Sequence, residues 1–92
     1  MIRSFSCVET EALFHSRAVS RFRNIERVAR RKLLQIHAAT ELASLRIPPG
    51  NQLEALKADR RGQHSIRVNE QWRICFVWKT DGAARVEIVD YH

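Results

Sequence analysis

The sequence is poor in the residues that punctuate or cross-link a chain: two cysteines, two prolines and three glycines in 92 residues. Cys7 and Cys75 lie far apart and fit no metal-ligand or redox spacing, so they read as buried free thiols rather than a disulfide. No run approaches the roughly 20 apolar residues of a membrane span, and residues 1–6 lack the apolar stretch of a secretion signal. Reduced thiols without an export or membrane signal make the cytoplasm the expected compartment, with no membrane partner. There is no repeat, low-complexity tract or long linker, which excludes a disordered chain. Lysine is scarce too: only Lys32, Lys57 and Lys79.

What is present is a hydrophobic fraction of 45% and a charged fraction of 28%. That composition suits one domain over residues 1–92, with one modest core. Sixteen basic against ten acidic side chains give a net charge of +6. The excess sits in residues 1–46, which carry nine basic and four acidic groups, whereas residues 47–92 carry seven and six. The basic set is mostly arginine, whose planar fork grips phosphate bidentately and stacks on bases. Charge alone fits nucleic acid, an acidic protein partner or a plain solvated face equally well.

Periodicity predicts an α+β order. Ile2 and Phe5 among polar neighbours read as a short strand over 2–6. Ser6 and Glu9 have the spacing of a capping box for a helix over 8–15. The basic stretch 17–24 follows and reads as the most mobile segment. Asn24 is the expected N-cap of a longer helix reaching Thr40, with Ile25, Val28, Ala29, Leu33 and Ile36 on its apolar side. Leu42 to Leu45 adds a turn, and Pro48-Pro49-Gly50 ends helical structure. The period then changes to two: a short strand near 53–56, one over 64–68, one over 72–78, an Asp81-Gly82 hairpin and a last strand over 85–91. The expected architecture is an N-terminal strand and two helices packed on one face of an antiparallel sheet. Ile66, Ile74 and Phe76 point at the helices, and Arg67 and Arg73 at the opposite face.

Three groups of residues carry candidate chemistry. Lys57, Asp59, Arg60 and Arg61 enter the sheet in a loop that by itself reads as a polar turn. Arg73 stands amid Trp72, Ile74 and Phe76, where a rigid strand would aim its charge at a phosphate; a salt bridge to Glu87 across the hairpin is the structural alternative. Asp90, Tyr91 and His92 offer a carboxylate, a phenol and an imidazole in sequence. Such a set suffices for RNA cleavage without a metal or cofactor: one group takes the 2′-hydroxyl proton, a cation stabilises the crowded phosphate, and an acid protonates the leaving oxygen.

The run NQLEALKADRRGQHSIRVNEQWRICFVW over 51–78, the closing VEIVDYH, the opening MIRSF and the ATEL segment at 39–42 together resemble the HigB-type toxins of the RelE-like toxin–antitoxin superfamily. The resemblance covers essentially the whole chain. It implies a compact RelE-like fold and a metal-independent endoribonuclease that enters the ribosomal A site and cuts translated mRNA. It also implies neutralisation by a cognate antitoxin with a helix-turn-helix domain, so that DNA is met only through that complex. By position, Lys57 and Arg73 match the family's phosphate-contacting residues, and Asp90, Tyr91 and His92 its C-terminal catalytic triplet. Some relatives place a histidine three residues before the loop lysine, where this sequence has Glu54, either a base or a salt-bridge partner of Lys57. Arg60, Arg61 and Arg67 are the expected RNA contacts at the rim of the site. Arg17, Arg21, Arg23, Arg30 and Arg31 would be sequence-independent contacts to ribosomal RNA or solvated surface. A non-catalytic RNA- or ribosome-binding module remains the alternative, and nothing resembles a DNA-recognition helix.

Overall fold

A computed structural model describes residues 1–90. Helix α1 is Val8–Phe14 and helix α2 is Glu26–Ala38. Four strands follow: β1 Glu54–Ala55, β2 His64–Arg67, β3 Trp72–Lys79 and β4 Gly82–Asp90. They form an antiparallel meander in the order β1-β2-β3-β4. This is the α+β architecture expected from the change of period at Pro48.

The sheet's inner face carries Ile66, Ile74, Phe76, Val86 and Ile88, all buried against Leu13 of α1 and Ala29, Leu33 and Ile36 of α2. Each such side chain contributes about 1.5–3 kcal/mol on burial. Burial also decides the helix starts. Asn24 does not cap α2; Ile25 takes that position without a side-chain cap, because its own side chain is drawn into the core. The helix stops at Ala38, short of Thr40.

The capping box of Ser6 and Glu9 is not made either: Cys7 is the N-cap of α1 and makes no side-chain cap bond. Ser6 is committed to the sheet, its N–H donating to the Val86 carbonyl at 3.1 Å, and Glu9 turns outward to Arg21 at 2.8 Å. The N-terminal segment is no full strand. It runs parallel to β4 through two isolated bridges, Ile2 to Ala83 and Phe5 to Val86. Beyond it, Thr10 of α1 takes over the same edge, its Oγ1 accepting from the Ile88 N–H at 3.0 Å. β4 begins at Gly82, earlier than the alternation suggests. The register shifts opposite Cys75 and Val77, where Arg85 at φ 54 supplies the extra residue of a bulge and hides the period. Segment 17–24 is pinned by Phe22, which is fully buried with its ring edge-on to Trp72.

Candidate active site

The sheet's outer face collects polar residues from all four strands. Cα register places Glu54 opposite Ser65, Ser65 opposite Cys75, Arg67 opposite Arg73, and Cys75 opposite Glu87. Directly opposed residues share a face, so these six side chains lie together.

Arg73 is the centre of this face. It is only 8% exposed, and an unsatisfied charge there would be costly. Its Nε donates to Ser65 Oγ at 2.8 Å, and its Nη2 donates to the Gln52 carbonyl at 2.7 Å and the Ser65 carbonyl at 3.4 Å. The Glu54 carboxylate stands 3.6 Å from the same Nη2. One edge of the guanidinium is thus locked to the protein, while Nη1 makes no hydrogen bond among the described residues. A rigid cation with one amine uncommitted is a suitable phosphate clamp.

Two anticipated pairings are corrected. Glu87 does not pair with Arg73; its carboxylate takes Arg60 Nη1 at 3.0 Å. Glu54 does not pair with Lys57 but with Arg73, because Glu54 belongs to the strand, whereas Lys57 has left it for the turn Ala58–Arg60. Lys57 and Arg61 are exposed beside that turn. Arg67 donates to the Asn69 carbonyl at 3.2 Å.

Asp90 sits opposite Trp72, one residue out of step with Arg73. At the exposed end of β4 its carboxylate accepts from Gln71 Nε2 at 3.0 Å, and alternation along the strand sets it on the other side from Arg73. Tyr91 and His92 lie outside the described residues.

Cys75, buried between Arg60, Glu87 and Arg73, has its thiol pushed up from the ordinary value, chiefly by burial. It is a packing residue rather than a nucleophile. Alongside β1, an open cleft of about 360 Å³ is lined by Leu42, Arg46, Leu53, Glu54, Ala55 and His64, and Glu54 joins it to the Arg73 face. Among the described residues no three of His, Cys, Asp or Glu gather to hold a metal ion.

The family model for HigB-like toxins, RelE-like toxins of type II toxin–antitoxin systems, matches residues 14–92. The chain belongs to the HigB-like toxin family. Toxin HigB-1 of Vibrio cholerae serotype O1 is 45% identical over 69 residues, which cover 75% of this chain and 72% of that protein. An uncharacterised protein of Haemophilus influenzae is 38% identical over 58 residues, covering 63% of this chain and 57% of that protein. In fold, this HigB-like toxin is similar to chains of the YoeB–YefM complex from Staphylococcus aureus, with TM-scores of 0.57 and 0.58 at 14% identity, over all of this chain and 98% of those.

Sequence reading found Arg73 but missed the groups that hold this toxin's guanidinium, Ser65 and Gln52. Ser65 carried a usable signal, since it alternates with Ile66 and must share the outer face. Gln52, acting through its carbonyl, carried none.

Proposed function

We propose that this HigB-like toxin is a ribosome-dependent mRNA endonuclease acting in the A site and needing no metal. What carries this reading is the Arg73 guanidinium, held by Ser65 and Gln52 on a rigid strand with Nη1 uncommitted. In the proposed reaction the 2′-oxygen attacks the adjacent phosphorus, the bond from phosphorus to the 5′-oxygen breaks, and a 2′,3′-cyclic phosphate is left. Arg73, with Lys57 reaching in from the loop, neutralises the charge gathering on the phosphate. Glu54 is the base that takes the 2′-hydroxyl proton, and Tyr91 or His92 returns a proton to the leaving oxygen. Asp90, bonded to Gln71 at the exposed end of β4, anchors the strand end instead of joining the proton transfer. Arg61 and Arg67 contact the flanking RNA, and Arg60 does so while braced on Glu87. The cytoplasm, where ribosomes translate, is the place of action. The partner that restrains the toxin is a cognate helix-turn-helix antitoxin; the fold relatives from Staphylococcus aureus come from a toxin–antitoxin complex, and any contact with DNA runs through it.

Primer extension of a defined mRNA on translating ribosomes tests the proposal. Wild-type protein should yield cuts within the A-site codon, and deletion of His92 should remove most of them. The second reading, a non-catalytic ribosome-binding module, draws on the Glu54 carboxylate standing 3.6 Å from Arg73, where it would repel phosphate. Binding to ribosomes with no cut product would favour it.

A further inference from the structure

Helix α2 buries a lysine that the proposed chemistry does not use. Lys32 is 8% exposed and has no carboxylate within ion-pair distance among the described residues. Its Nζ donates to Asn51 Oδ1. Burial, and secondarily the neighbouring Arg31, lowers its pKa from the ordinary value. A buried ammonium with a neutral partner is an unfavourable arrangement by itself.

Asn51 is 0% exposed. Its Nδ2 donates to the Leu45 carbonyl at 3.0 Å and to Gln35 Oε1 at 3.1 Å. The bonds to Gln35 and Lys32 tie the turn Pro49–Asn51 to α2, and that to Leu45 ties it to the preceding turn Leu42–Arg46. The next residue, Gln52, is left-handed at φ 46, a conformation that costs a residue other than glycine about 1 kcal/mol or more. The same Gln52 presents its carbonyl to Arg73 Nη2 at 2.7 Å. A buried amide therefore stands one peptide bond from the oxygen that orients the guanidinium.

We infer that Lys32 and Asn51 are positioning residues for Arg73, acting across the molecule through the Gln52 carbonyl. With that carbonyl displaced, Ser65 alone holds the guanidinium, and the group can swing fully onto the Glu54 carboxylate. The inference rests on the nuclease reading for its consequence in rate, but not for its consequence in geometry.

The test compares Asn51→Ala and Lys32→Met with wild type in three measurements: thermal unfolding, the hydrogen-exchange rate of the Arg73 Nε–H by nitrogen-15 NMR, and single-turnover mRNA cleavage at varied ribosome concentration. Lys32→Met trades a buried charge for an apolar chain of similar length and should remain folded; it decides the matter alone if Asn51→Ala does not fold. The expected result is faster Nε–H exchange, and a maximal cleavage rate lowered about 10- to 100-fold with the half-saturating ribosome concentration unchanged. Folded variants with wild-type Nε–H exchange, or a loss confined to ribosome affinity, would overturn the inference. If wild type itself yields no cut product while the variants still loosen Arg73, the nuclease reading fails and the positioning role stands.

Discussion

A guanidinium at 8% exposure needs partners inside the protein, and Ser65 Oγ accepts from its Nε at 2.8 Å. Ser65→Ala leaves that N–H buried and unpaired, which should cost about 1–3 kcal/mol in urea unfolding; an unchanged midpoint would mean the hydroxyl is dispensable. Lys32 gives a test through pH. Its folded pKa lies below the ordinary 10.5. Below the folded value both states hold the proton and this group contributes no pH slope. Between the two values the unfolded chain binds more protons, so stability rises with pH. The stability of wild type relative to Lys32→Met should therefore increase as pH climbs toward 10.5, and a difference flat over that range would contradict the burial of an ammonium. At this scale the sequence was half legible. Arg73 stood out as a charge in an apolar strand. Lys32 occupies a stripe position between Ala29 and Ile36, yet the reading left it off the apolar side, because a lysine is almost never placed in a core.

Among the elements, the hairpins and the start of α1 at Val8 were legible and the helix caps were not. Asp81-Gly82 marks its turn because Gly82 adopts φ 132, open to glycine but not to side chains. The structure adds a second demand there: a Cβ on Gly82 would lie 1.9 Å from the Met1 carbonyl oxygen. Gly82→Ala should thus strain the turn and push the N-terminal segment off β4, costing about 2 kcal/mol or more in denaturant unfolding. A loss of only a few tenths would show that the segment is loosely held. Ser6 and Asn24 looked like helix caps and are not, because local capping gives way to edge pairing at Ser6 and to the burial of Ile25. The bulge at Arg85 was invisible, since nothing in a polar side chain signals a left-handed backbone.

For the whole molecule, net charge was read directly, but its disposition was not. Of the basic residues before the sheet, Arg30 is spent internally, bonding the Leu13 carbonyl at 3.0 Å and Glu26 at 3.1 Å. Arg21 pairs with Glu9 and lies over Trp72. Arg17, Arg23 and Arg31 remain exposed for polyanion contact. Ribosome affinity should fall with salt, and Arg31→Ala should reduce the slope of log K against log salt by about 0.7–0.9. An unaltered slope would remove α2 from the RNA-facing surface. The architecture itself was legible because the period changes once, at the prolines, and the two halves have one way to cover each other's apolar faces.

The most direct test of the account is the single-turnover rate of mRNA cleavage on programmed ribosomes by Arg73→Ala, beside wild type, with both proteins verified as folded. A loss of about 100-fold or more is expected, because Arg73 is the buried cation at the centre of that face, held by Ser65 and Gln52. A folded Arg73→Ala protein that cuts at the wild-type rate would contradict it.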